Sequence, residues 1–262
     1  MSRIEAKFAD LKLKKKSAFI TFLMAGDPSI NQSEILFKKL PKLGVDIIEI
    51  GMPFTDPMAD GLLIQKAGQR SLNNNTNLIN VFDLVKKIRI VDNKIPIILM
   101  GYFNPIYAMG VSTFLEKSKS SGVDGFIIVD LPPEEDEEFC KPARKIGLDF
   151  IRLATPTTSS DRISTVLENT SGFIYYVSVT GITGSQNLNI QTVEKNVKII
   201  KDQIDIPVCV GFGIKTPQDA KKVSSVADGV VVGSSIVELI EKNHSLEKIC
   251  DYIKSIADAI HS

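Results

Sequence analysis

Eight short runs rich in isoleucine and valine recur along this chain, each followed by a charged, amphipathic segment. The runs cover residues 18–24, 46–50, 95–100, 125–129, 149–153, 173–177, 207–210 and 229–232. They are apolar on both faces, as strands buried in a parallel sheet are. Between them, residues 32–43, 81–91, 111–121, 134–146, 161–168, 191–203 and 217–226 carry helical patterning, and a last helical stretch runs over 234–260. Unbroken alternation of this kind demands a parallel sheet with crossover helices, and eight units close into a (β/α)8 barrel. Such a barrel takes about 250 residues, and the chain has 262. The rival is a doubly wound open sheet, which binds a nucleotide through a glycine fingerprint after its first strand. Here that position holds Gly26-Asp27-Pro28-Ser29-Ile30-Asn31, with no such fingerprint, and no Walker sequence occurs. No linker or composition break divides the chain. The expectation is a single α/β domain over residues 1–262, a TIM barrel with an extra N-terminal helix and a short extra helix at 63–72 after the second strand.

Composition narrows the chemistry. Basic and acidic residues balance at 31 each, so no net field draws the chain to nucleic acid or an anionic membrane. The densest basic cluster, Lys12, Lys14, Lys15 and Lys16, is short and lacks interleaved aromatics, and reads as solvated surface. Cys140, Cys209 and Cys250 lie far apart and form no CxxC pair, which suits a reducing cytoplasm and speaks against a disulfide framework or zinc site. No apolar run reaches the roughly 18 residues of a spanning helix. His244 and His261 are the only histidines. A Ser-His-Asp mechanism and a histidine-rich metal centre are therefore disfavoured, no metal is expected, and acid–base work falls mainly to carboxylates.

In a barrel the reacting groups sit at the C-terminal ends of the strands and in the loops beyond. The second strand runs into E-I-G-M-P-F-T-D-P-M-A-D-G, residues 49–61, which carries three acids. Glu49, one residue before the strand's end, is flanked by Ile47, Ile48 and Ile50. Burying a carboxylate there costs several kcal/mol unless it is paired or neutral. It is either a core acid tied up by hydrogen bonds or a proton donor whose apolar surroundings raise its pKa. Asp60 reads as a helix N-cap or as a second acid returned over the barrel mouth by the stiff Pro53–Pro57 loop. Asp56 reads as a turn or partner contact. Asp27 and Asp130 are lesser candidates, the latter mostly a turn or cap. The acidic run 134–138, after Pro132 and Pro133, reads as helix-start capping and solvation.

The second half supplies glycines at three strand ends, in Thr180-Gly181-Ile182-Thr183-Gly184, Gly211-Phe212-Gly213 and Gly233-Ser234-Ser235. Backbone amides there and a helix N-terminus form the usual barrel phosphate site, so a phosphate-bearing substrate is expected. Phe22, Met100, Tyr102, Tyr175 and Phe212 fall near strand ends. Singly each reads as core; together they would line a flat apolar pocket for an aromatic ring.

These motifs, with L-M-G-Y-F-N-P-I at 99–106, V-D-L-P at 129–132, S-V-T-G-I-T-G at 178–184 and V-G-F-G-I at 210–214, strongly resemble the tryptophan synthase alpha chain family. The resemblance runs from about Arg3 into the C-terminal helix. It implies a (β/α)8 lyase that splits indole-3-glycerol phosphate into indole and glyceraldehyde 3-phosphate. It also implies a beta-chain partner in an alpha2beta2 heterotetramer, which takes the indole through a tunnel and uses pyridoxal phosphate, with no cofactor in this chain. The family's catalytic acids fall on Glu49 and Asp60, and its phosphate loops on Gly184, Gly213, Gly233 and Ser234. The loop bearing Thr183 would act as a lid, and the loop with Pro53, Asp56 and Pro57 would face the partner. Two departures stand out: Leu62 stands where many members have proline after A-D-G, and Thr55 replaces the commoner serine. The rivals are another phosphate-handling barrel, a silent subunit that only activates a beta chain, and a free-standing indole-producing lyase.

Overall fold

The computed structural model describes residues 1–178, 190–211 and 213–262. Its nine strands are β1 (Ala18–Met24), β2 (Ile47–Gly51), β3 (Ile97–Gly101), β4 (Gly125–Ile128), β5 (Asp149–Phe150), β6 (Arg152–Ala154), β7 (Ile174–Val177), β8 (Val208–Gly211) and β9 (Gly229–Val232). All neighbours pair in parallel, in the order β5-β4-β3-β2-β1-β9-β8-β7-β6. The expected barrel forms, with one difference. Its fifth staff is split at Ile151, because β5 pairs back to β4 while β6 pairs forward to β7. That one segment therefore joins the two ends of the sheet.

Alternation along the strands sorts the side chains into two cores. Ile20, Ile47, Ile98, Ile127, Ile151, Tyr175, Cys209 and Val231 fill the barrel interior. Phe19, Leu23, Ile48, Ile50, Ile97, Leu99, Val208 and Val230 point outward to the helices. The N-terminal helix Arg3–Leu13 adds Ile4, Phe8 and Leu11 to the interior cluster, at the spacing of one helical face. The Phe8 ring lies 5.8 Å from that of Phe173, just before β7. This helix plugs the end where the strands begin, leaving the strand C-termini as the mouth.

The same floor is pinned by aspartates that precede strands. Asp46 Oδ2 accepts the Phe19 amide at 2.9 Å and lies 2.8 Å from His261 Nε2 on the last helix, Leu246–His261. Asp124 Oδ2 accepts the Ile97 amide and an Arg89 N–H, and Asp228 Oδ2 accepts the Val208 amide. Each carboxylate ties the start of one strand to the loop entering another.

Three helical expectations need correction. Residues 134–146 do not form one helix: a 3-10 turn at Pro133–Glu135 is followed by a short helix at Cys140–Lys145. Glu134, Glu135, Glu137 and Glu138 are exposed, as the solvation reading implied, but the buried Asp136 meets the buried Arg152 of β6, and Glu134 also meets Arg162. A guanidinium under the helices needs a counter-charge, and the acidic run supplies it. The stretch 234–260 is two helices, Ser234–Glu241 and Leu246–His261, separated at Asn243, whose φ is 52°, and restarted by the Ser245 cap. An unforeseen helix, Phe103–Met109, follows β3 with Pro105 tolerated in its first turn. The extra helix after β2 is present as Leu62–Asn73. Among the described residues, no helix is long and apolar enough to cross a membrane.

Candidate active site

On β2, Ile48 and Ile50 face the helices while Ile47 and Glu49 face the barrel interior. Glu49 is fully buried, and among the described residues neither of its carboxylate oxygens has a hydrogen-bond partner. The reading of a core acid tied up by hydrogen bonds is thus excluded for that part of the chain. Burial alone pushes its pKa up to about 8. At neutral pH the group is mostly a carboxylic acid. Burial raises the Tyr175 hydroxyl and the Cys209 thiol as well, and Glu49 adds to both, which places the three groups in one interior.

Asp60 is not the N-cap of the following helix, because Gly61 takes that position without any side-chain cap bond. Its carboxyl is therefore not spent on a cap. The Asp60 carbonyl accepts the Gln65 side-chain amide at 2.8 Å, and its amide donates to the Pro57 carbonyl at 3.1 Å. Half-buried, Asp60 has a pKa pushed up to about 6 by desolvation, against the opposing pull of a hydrogen bond with Tyr102. Tyr102 lies beneath the loop: its hydroxyl accepts the Ala59 amide at 3.0 Å, and its ring sits 5.5 Å from Phe54. Besides the place on the indole wall expected of its ring, its hydroxyl holds the acid-bearing loop. Tyr102→Phe removes the bond that lowers the Asp60 pKa, so the acid limb of the rate should move to higher pH. We expect kcat/KM to fall about tenfold, as loss of a hydrogen bond to a charged group allows, and a pH–rate series on the variant checks both effects.

The expected pocket walls converge where they are described. Phe22 and Met100 share a cluster with Met24, Ala67 and Val237 at the mouth, and Met100 also packs on the interior cluster containing Tyr175. Glycines make this possible. A Cβ at Gly51 would fall 2.7 Å from Phe22 Cζ, one at Gly211 2.2 Å from Tyr175 Oη, and one at Gly233 3.0 Å from Phe22 Cβ. The strand ends are bare so that rings can lie against them. Gly233 leads into the helix Ser234–Glu241, again with no side-chain cap, so the first-turn amides are not spent on a cap. Gly213 adopts the left-handed φ of 80°. Phe212, Thr183 and Gly184 lie outside the described residues.

The remaining sequence candidates separate by burial and pairing. Pro53 is buried, so it offers little surface for the partner role expected of it. Asp56 is exposed and accepts the Thr55 hydroxyl at 2.5 Å, and Pro57 is half-buried. Leu62, singled out in the sequence, is 64% exposed, and sequence reasoning missed the exposed Met58 (79%) and Tyr107 (69%). Asp130 accepts the Phe103 amide at 2.8 Å and caps that helix from the next strand, as its turn-or-cap reading implied. Asp27 is buried and bound bidentately by Arg70, at 2.7 and 2.9 Å. Among the described residues, no group of three or more His, Cys, Asp or Glu stands where it could hold a metal ion.

Comparison with known proteins gives this geometry a setting. The family model described as Tryptophan synthase alpha chain matches residues 8–259. Among solved structures, a protein of Aquifex aeolicus VF5 is 38% identical, with 99% of each chain covered and a TM-score of 0.92. Tryptophan synthase subunit alpha of Legionella pneumophila str. Paris is 36% identical, with 99% of this chain and 98% of that one covered and a TM-score of 0.92. Tryptophan synthase of M. tuberculosis, in its aminoacrylate-bound form, is 28% identical, with 99% and 100% covered and a TM-score of 0.90.

Proposed function

The chain belongs to the tryptophan synthase alpha chain family, which cleaves indole-3-glycerol phosphate in tryptophan biosynthesis, and from that premise we propose that Glu49 and Asp60 carry the reaction. The products are indole and glyceraldehyde 3-phosphate, and the step is a reverse aldol. Glu49 gives its proton to indole C3, and the ring becomes cationic. The resulting carboxylate takes the proton of the hydroxyl on the carbon bonded to the ring. That carbon becomes the aldehyde, and the carbon–carbon electron pair returns to the ring and restores its aromaticity. Protons balance, since Glu49 ends as it began. Asp60, ionised above about pH 6, accepts the indole N–H and offsets the positive charge as it forms. The amides at Gly213, Gly233 and Ser234, with Gly184, hold the phosphate. Phe22, Met100, Tyr102, Tyr175 and Phe212 flank the ring, and the loop bearing Thr183 closes over it.

The observation that carries this reading is the buried Glu49, unpartnered among the described residues, beneath an aromatic-lined mouth. Indole release from indole-3-glycerol phosphate by the purified chain, with and without a beta chain, tests it. Release in neither condition would contradict it.

For this chain the proposal also includes one barrel domain over residues 1–262, a cytoplasmic setting and an alpha2beta2 assembly with a beta chain. Asp56, Pro57, Met58 and the helix of Tyr107 form the contact, and pyridoxal phosphate resides in the partner, with no cofactor in this chain. Met58, Leu62 and Tyr107, exposed in the segments that follow the C-terminal ends of β2 and β3, support this contact. Met58→Glu should abolish co-purification with a beta chain, and sedimentation would show it.

A further inference from the structure

The helix Leu62–Asn73 begins two residues after Asp60 and is poorly supplied with apolar anchors. Its buried residues are only Ala67, Gly68 and Ser71. The helix Ser234–Glu241, which carries the phosphate amides at its start, buries Ile236, Val237 and Ile240. Dispersion and apolar burial scale with the atoms buried, so the first helix cannot be oriented by packing as firmly as the second. Directional polar bonds do it instead. The Ser71 hydroxyl donates to the Ala25 carbonyl at 2.5 Å, and the Asn74 amide donates to the Pro28 carbonyl at 2.7 Å.

Arg70 is the centre of this arrangement. Its Nε and Nη2 grip both oxygens of the buried Asp27, in the loop after β1, the strand that carries Phe22. Its Nη1 lies 4.0 Å from Glu241 at the far end of the phosphate helix, and Glu241 is also held by Lys66 at 2.9 Å. One side chain thus joins the helix behind Asp60, the loop behind the indole wall and the helix behind the phosphate.

We propose that Arg70 is a positioning residue for the cleavage reaction: it sets the helix that follows Asp60 against the phosphate helix, so that a substrate held by its phosphate presents its ring N–H to Asp60. The inference rests on the assignment of Asp60 made above. A guanidinium suits the task because its planar fork meets a carboxylate in two bonds, whereas an ammonium is a point charge on a flexible stem. Displacements of about 1 Å far from the reacting atoms can cost about a hundredfold in rate.

The test compares Arg70→Lys, Asp60→Asn and the double variant on the full chain, with and without a beta chain. It reads kcat, KM and the affinity for glycerol 3-phosphate as a probe of the phosphate site. Arg70→Lys should lower kcat about tenfold with glycerol 3-phosphate affinity changed less than about twofold, and that loss should vanish on the Asp60→Asn background. Glu241→Gln leaves the buried Asp27–Arg70 pair intact, so it keeps the test usable if Arg70→Lys folds poorly. It should show a smaller kcat loss of the same kind, also absent beside Asp60→Asn. A full, additive loss from either variant on that background overturns the inference, as does unchanged kcat in both. If Asp60→Asn alone keeps wild-type kcat, the assignment of Asp60 itself has failed, and the two failures are thereby told apart.

Discussion

Glu49→Gln should lower indole release about 10²- to 10⁴-fold, the range that positioned proton transfer supplies, while glycerol 3-phosphate and substrate still bind. The amide keeps the shape of the side chain but has no acidic proton to give and no carboxylate to take one back. Both halves of the reverse aldol fail together, so KM should change little beside kcat. The same substitution should stabilise the fold. Burial raises the folded-state pKa of Glu49 from 4.5 to about 8, so the folded chain holds this proton more tightly than the unfolded one. Stability from this group is fully present below pH 4.5 and is lost as pH rises towards 8, because the buried site penalises the charged form. Gln has no charge to bury. The variant should therefore gain on the wild type by a few kcal/mol at alkaline pH and little at pH 5, which denaturant unfolding at the two pH values measures. A variant with near-normal turnover would remove Glu49 from the mechanism.

Asp60→Asn should lower kcat about 10²- to 10³-fold, the loss seen when one preorganised electrostatic group is removed from an active site, with a much smaller effect on ground-state affinity. The indole N–H is neutral in the bound substrate and acidic once C3 is protonated. A carboxylate therefore gains strength towards the transition state, whereas an amide oxygen gains far less. Half-burial among Tyr102, Phe54 and the loop limits the water that would otherwise screen that charge. Steady-state rates with KM measured on the same samples check it. A rise in KM with unchanged kcat would make Asp60 a binding group only.

Much of this was written in the chain at short range. Strand–helix alternation is local, so the barrel and its mouth could be read, and so could Glu49, an acid inside an isoleucine run. What escaped depends on partners distant in sequence. Asp60 could be read as a cap until Gly61 was seen in that position. The second task of Tyr102, holding the loop through its hydroxyl, was hidden because its partners, Ala59 and Asp60, lie about forty residues earlier. The pairing of Arg70 with Asp27 spans a similar distance, and nothing in the sequence near either residue announces it. Within the acidic run 134–138, the role of Asp136 escaped because Arg152, the charge it answers, is buried in another strand. The helix Phe103–Met109 lies between the third strand and the amphipathic run at 111–121, where no element was expected. Pro53 was placed on the partner surface with the rest of its loop, and its burial could not be read from the sequence. One local signal was present and unused: Gly44-Val45-Asp46 and Gly122-Val123-Asp124 repeat the same strand entry, and both aspartates accept an amide from a neighbouring strand.

The pH dependence of kcat/KM for indole release tests the central claim, that a protonated Glu49 and an ionised Asp60 act together. With folded-state values of about 8 and about 6, the rate should be bell-shaped, rising through pH 6 and falling through pH 8. The acid limb should disappear in the residual activity of Asp60→Asn while the alkaline limb remains. A rate that keeps climbing above pH 9, or an acid limb that survives Asp60→Asn unchanged, would contradict the account.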